Sequence, residues 1–198
     1  MPSFALISRS LTTRIIVLST LWNRIANGAS RVFRVGWVMA AFEYRQAQEI
    51  RDALARHGVR YLFIGKSGAI LLGFPDTTQD ADLFVERALG NGRALVIALR
   101  ELGFTLSDNQ AAEIERGKDF IQLKDGPFDL DLVFAPDGIE RFEDAWWRHV
   151  DVEGFPVCHP DDIIASKRAA NRAKDRESLP RLVAFREYWL QKNAGGSG

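Results

Sequence analysis

The stretch Ile64-Gly65-Lys66-Ser67-Gly68-Ala69-Ile70-Leu71-Leu72-Gly73-Phe74-Pro75-Asp76-Thr77-Thr78-Gln79-Asp80-Ala81-Asp82-Leu83-Phe84-Val85 decides the reading of this chain. An apolar run ends at Gly65, small residues follow, and two aspartates open a second apolar run. Gly65 permits a sharp bend, and backbone N–H groups at the start of a following helix can hold a phosphate. Lys66 and the Ser67 hydroxyl would add to that cradle. In a strand, side chains two residues apart share a face, so Asp80 and Asp82 project together about 7 Å apart. Carboxylates beside a phosphate-binding turn point to metal-dependent nucleotide chemistry. The turn is not a P-loop, because the GxxxxGK[ST] spacing fails.

Phe128-Asp129-Leu130-Asp131-Leu132-Val133-Phe134 repeats the pattern, with Asp129 and Asp131 on one face of a second strand. A neighbouring strand of this kind brings a third acid beside the first two. An all-oxygen cluster suits Mg²⁺, and in a two-ion site the metals sit about 3.5 to 4 Å apart. Such chemistry needs positioning and charge neutralisation rather than a Ser-His-acid set. His57, His149 and His159 show no metal-ligand spacing and are expected to be structural or surface groups.

The flanking pattern predicts a mixed α/β fold, that is, α+β with a small mixed sheet flanked by helices and a C-terminal helical part. Ala47, Ile50 and Leu54 recur at helical spacing from Phe42 to His57, and Gly58 supplies a stop. Arg60 to Ile64 reads as a strand, Ser67 to Leu72 as one or two helical turns, and Asp80 to Val85 as a strand. Arg93 to Leu102 is helical. Lys118 to Leu123 and Phe128 to Phe134 are strands around a Lys124-Asp125-Gly126 turn. Ile139 to His149 is helical, Val150 to Val157 is a hairpin turning at Glu153-Gly154, and the chain from Asp161 to about Lys192 is helical with an interruption near Pro180. Trp146, Trp147 and Trp189 lie at helical spacing with apolar neighbours and read as core.

The chain has 198 residues, no formal net charge and 46% hydrophobic content, which suits one globular domain with a small appendage. A lone cysteine, Cys158, excludes an internal disulfide framework and any CxxC zinc site, and fits a reducing, cytoplasmic setting. Before Glu43 there are five arginines and no acid. Residues 1–38 therefore read as an arginine-rich extension, with a targeting segment as the alternative. Their apolar run is shorter than the about 20 residues needed to span a bilayer, so no membrane partner is expected. Residues 39–158 read as the core, 159–193 as the helical part and 194–198 as a flexible tail. Lys167, Arg168, Arg172, Lys174 and Arg176 crowd one region that could neutralise a triphosphate or an RNA backbone, or simply form a solvated face.

Laid out as Gly, two variable residues, a small residue, then Gly-Phe-Pro, Thr and Asp-x-Asp, the central segment resembles the nucleotidyltransferase superfamily that shares the DNA polymerase β palm. The Asp-Leu strand, the Asp161-Asp162-Ile163-Ile164 helix with Lys167-Arg168, and Arg172-Ala173-Lys174-Asp175 leading into a last helix are similar to the branch containing AbiEii-type and mycobacterial nucleotidyltransferase toxins. The resemblance implies transfer of a nucleoside monophosphate from an NTP, with Mg²⁺, to the 3′ acceptor end of tRNA, blocking aminoacylation and translation, and a cognate antitoxin as partner. It matches Asp80 and Asp82 to the metal pair, Asp131 to the third carboxylate with Asp129 as the alternative, Lys66 to a triphosphate-contacting loop position, and Lys167 to a catalytic lysine near the β and γ phosphates. It also implies that Thr78 or Thr77 is a site of inactivating phosphorylation. The chain departs from the pattern at Lys66, commonly Gly, and at Asp76, commonly Arg. Two alternatives stand beside this expectation: a nucleotidyltransferase acting on an aminoglycoside-type small molecule, and a degenerate protein that binds a nucleotide or partner without turnover.

Overall fold

The computed structural model describes residues 42–194, so the arginine-rich leader and all of the tail except Ala194 lie outside the described residues. Within them the chain runs α1 (Tyr44–Arg56), β1 (Tyr61–Phe63), α2 (Gly65–Leu71), β2 (Asp80–Val85), α3 (Leu89–Glu101), α4 (Asp108–Glu115), β3 (Phe120–Leu123), β4 (Asp129–Val133), α5 (Phe142–Arg148), β5 (Val150–Val152), β6 (Phe155–Val157), α6 (Pro160–Ala170) and α7 (Ala173–Ala194). The fold is mixed α/β, as the patterning predicts. Among the described residues no helix is long and apolar enough to cross a membrane.

The six strands form one sheet in the order β3-β4-β2-β1-β6-β5. β2 runs parallel to β4 and β1 parallel to β6, while the other neighbours are antiparallel. Alternation gives the central strands one fully apolar face: Ala81, Leu83 and Val85 of β2 and Leu130 and Leu132 of β4 have no exposed surface. They join one core with Ala47, Ile50 and Leu54 of α1 and Leu95, Ala98 and Leu99 of α3. At about 2 kcal/mol for each large buried side chain, this face dominates the energetics of sheet register.

Local signals explain the element ends. Glu43 and Gln46 form a reciprocal capping box at the start of α1. The β5–β6 hairpin turns at Glu153 (φ 53°) and Gly154 (φ 83°), where the sequence predicts it.

One element is unanticipated, and two expectations need correction. α4 falls in a stretch with no sequence assignment; it is two turns long and is announced by the Ser107-x-x-Gln110 capping box. Pro180 does not interrupt the terminal helix but sits inside α7. The interruption comes earlier, at Asn171, which adopts the left-handed conformation (φ 48°, ψ 31°) that asparagine tolerates well, with its carbonyl receiving a 2.6 Å hydrogen bond from Arg176 Nη1. Trp147 is not core: it is 84% exposed, whereas Trp146 stacks between Phe142 and His149 and Trp189 packs against His159.

Pro180 lacks the N–H that α7 would use at that turn, and it is exposed. Replacing it with Ala is expected to stabilise the protein by about 1 kcal/mol, read as an increased urea midpoint at unchanged m-value.

Candidate metal centre

Asp80 and Asp82 stand on the face of β2 opposite the buried leucines, and the parallel β2–β4 register sets Asp80 level with Asp129 and Asp82 level with Asp131. One carboxylate oxygen from each of Asp80, Asp82 and Asp131 lies within 4.8 Å of the others. Asp131, rather than Asp129, completes this cluster. Two ligand oxygens on opposite sides of Mg²⁺ are about 4 Å apart, so the donor set fits a small hard cation.

The electrostatics agree with that fit. Burial, then the charges of Asp80 and Asp131, push the Asp82 carboxyl up to about 7, against a smaller opposing pull from Lys167 and Lys174. Burial also raises Asp131, opposed by the hydrogen bond it accepts from Gln122. That bond runs from Gln122 Nε2 to Asp131 Oδ1 at 3.0 Å, between directly paired residues of β3 and β4. Thr78 Oγ1 donates to Asp80 Oδ1 at 2.8 Å, so the residue implicated in phosphorylation touches the cluster. Thr77 is exposed beside it on the cleft wall.

Gly65 is fixed by two constraints at once. Its φ of +64° favours glycine, and a Cβ there would lie 2.3 Å from Asp82 Oδ2. Ser67 differs from the expected phosphate ligand. It has no exposed surface, its hydroxyl donates to the Ile64 carbonyl (3.1 Å) and accepts from the Asp82 amide (2.9 Å). It ties α2 to β2 and so holds Asp82 in place. Lys66 does face the cleft, but its Nζ is 3.8 Å from Asp76 Oδ2.

The cluster opens into a cleft of about 780 Å³. Lys66, Lys167, Arg172 and Lys174 supply its cations, while Asp119, Asp137 and Asp175 line it besides the triad. Arg168 and Arg176 of the basic region do not line it. Lys167 Nζ reaches Asp175 Oδ1 at 3.0 Å, and both groups are well buried. Asp175 Oδ2 is buried with no hydrogen-bond partner, leaving an acceptor whose burial costs about 1–3 kcal/mol until a donor reaches it. Sequence reasoning missed this pairing, because its eight-residue separation spans the turn at Asn171. It also missed Gln122, although the hairpin register sets Gln122 opposite Asp131.

The histidines are structural, as expected: His57 Nε2 meets Glu101 at 2.6 Å, His149 Nδ1 contacts the Trp146 carbonyl, and His159 Nδ1 accepts from the Asp161 amide at 3.2 Å. Cys158 is buried, and Asp162 beside it pairs with Arg148.

Two outcomes follow from this geometry. Asp82 has a folded pKa above its unfolded value of about 3.9, so the folded state keeps a proton that the unfolded chain loses. The contribution of this carboxyl to metal-free stability therefore falls as pH rises from about 4 to 7 and is flat above, and Asp131, raised in the same sense, adds to the slope. Asp82→Asn should flatten the slope to what Asp131 leaves and make the metal-free protein about 2 kcal/mol more stable at pH 8, measured by urea denaturation with chelator. In Mg²⁺ the wild type should gain stability and the variant should not, with the gain fading below pH 7 as protons compete. Gly65→Ala keeps all three carboxylates yet displaces Asp82, and should weaken Mg²⁺ affinity roughly tenfold by calorimetry.

No protein-family model matches this chain, and no curated protein matches it.

Proposed function

We propose that the protein is a metal-dependent nucleotidyltransferase that joins a nucleoside monophosphate from an NTP to the 3′ acceptor end of tRNA. The observation that carries the reading is the convergence of Asp80, Asp82 and Asp131 within 4.8 Å on a cleft that Lys66, Lys167, Arg172 and Lys174 also line. Asp80, Asp82 and Asp131 would hold Mg²⁺, which when bound lowers the pKa of an attacking hydroxyl and stabilises charge on the phosphates. The chain's residues do the rest. The cations of the cleft receive the triphosphate and the pyrophosphate that leaves with the electron pair of the broken P–O bond. Asp131, raised in pKa and oriented by Gln122, suits acceptance of the acceptor hydroxyl's proton as the new P–O bond forms.

Arg172 and Lys174 are exposed at the cleft and suit an RNA backbone. Within this reading the protein acts as a toxin with an antitoxin partner, and a phosphate on Thr78 would set about two negative charges beside Asp80, repelling the triphosphate. A second reading, transfer to a small cationic acceptor of aminoglycoside type, draws on Asp119 and Asp137 in the same cleft.

Purified protein incubated with each labelled NTP, Mg²⁺ and total tRNA should place label on tRNA 3′ ends, and Asp80→Ala should reduce incorporation by at least about 10³-fold. Label moving instead to a small polyamine or aminoglycoside selects the second reading. Absence of turnover with every acceptor, or full activity in Asp80→Ala, overturns the proposal.

A further inference from the structure

Phe120 is the one large hydrophobic residue, among the described residues, that is both substantially exposed and in the cleft. It is 46% exposed; the other exposed large hydrophobics, Tyr44, Leu89, Ile97, Trp147 and Tyr188, lie elsewhere. Its position is set by the sheet. Phe120 pairs with Val133 of β4, and Gln122, two residues along the same face of β3, pairs with Asp131. The ring therefore belongs to the face that carries the metal triad, about 7 Å along the strand from Gln122.

Its surroundings are unlike the rest of the cleft. Val133 pairs with it, and Val133, Ala135 and Pro136 line the cleft with it, so apolar groups of β3, β4 and the segment after β4 adjoin the carboxylates, flanked by Asp119 and Asp137. The cations come from other elements, Lys66 from α2 and Lys167, Arg172 and Lys174 from α6, α7 and the turn between them. An aromatic ring left in solvent loses the about 2 kcal/mol that burial would give it, and β3 is an edge strand on which a polar residue would serve folding equally well. A ligand with a charged polyphosphate at one end and a flat apolar face at the other matches both sets of residues.

Resting on the nucleotidyltransferase reading, we infer that Phe120 is the stacking platform for a nucleobase bound at the metal triad, with Val133 and Pro136 as apolar groups that line the cleft with it. Every base has a π-face, so the contact gives affinity for nucleosides over bare polyphosphate without choosing strongly among bases. The base belongs either to the incoming nucleotide or to the acceptor's terminal residue.

Calorimetry on the full chain with Mg²⁺ separates these. The probes are α,β-methylene NTP analogues, inorganic tripolyphosphate and a short single-stranded RNA ending in CCA. The wild type should bind an NTP analogue more tightly than tripolyphosphate. Phe120→Ala should weaken either the analogue or the RNA by roughly tenfold while leaving tripolyphosphate unchanged, and Phe120→Trp should restore binding. Loss confined to the analogue names the donor base, and loss confined to the RNA names the acceptor base. Unchanged binding of both by Phe120→Ala overturns the platform while leaving the nucleotidyltransferase reading intact. A wild type that binds tripolyphosphate, shows no preference for the nucleoside and does not bind the RNA overturns it likewise. A wild type that binds none of the three probes overturns the inference together with the reading beneath it.

Discussion

The parallel pairing of β2 with β4 is the constraint on which the site depends. It sets Asp82 level with Asp131, and the leucines on the reverse face prevent the strands from relieving the repulsion by slipping. A one-residue slip would turn Leu83, Leu130 and Leu132 to the cleft and the aspartates to the core. The apolar face thus holds like charges close together, and their repulsion adds to burial, the larger cause, in raising Asp82 and Asp131. A cluster held together against its own repulsion is pre-formed for a cation, which then needs no rearrangement of its ligands.

How much of this was legible depends on the range of the interaction. The two DxD strands, the bend at Gly65 and the hairpin at Glu153-Gly154 are local patterns, and the structure contains them. Which strands become neighbours is not local, so the sequence left Asp129 and Asp131 as alternatives; register brings both to β2, and the convergence of carboxylate oxygens selects Asp131. Ser67 was misread for the same reason: a hydroxyl after a glycine bend looks available until the Asp82 amide, fifteen residues on, occupies it. Pro180 misled in the opposite direction. Proline is a strong local signal, but α7 tolerates it on an exposed side, and the quieter signal of Asn171 marks the true break. Trp147 shows the limit of periodicity, since a two-turn helix with adjacent tryptophans can bury only one of them.

The helical part is joined to the sheet by charge as well as by packing. α2 and α6 pack together, and the Lys167–Asp175 pair bridges α6 to α7 at the cleft wall. A buried pair of this kind contributes little net stability compared with apolar residues of the same size. Its consequence is positional: Asp175 fixes a lysine whose charge is felt at Asp82.

The same logic bears on Asp76, the departure from the pattern that the sequence resembles. Judged along the chain, an acid there removes a cation from the loop before β2. Judged in space, it recruits one: Arg181 of α7 donates to Asp76 Oδ2 at 3.1 Å and to the Pro75 carbonyl at 2.9 Å, and its guanidinium lies 5.1 Å from the centre of the Phe74 ring. Lys66 approaches the same oxygen. The hydrogen bond from the Thr77 amide, then the charges of Lys66 and Arg181, hold the Asp76 carboxyl below the usual range against the opposing effect of burial. The loop thus gains a tether to α7 that a local arginine could not supply, while Lys66 is held by a weak 3.8 Å contact that a phosphate can displace more readily than a close hydrogen-bonded pair. Charge at this rim is set by the fold's long-range contacts, and the acid at position 76 is compatible with the cations of the cleft because α7 returns to it.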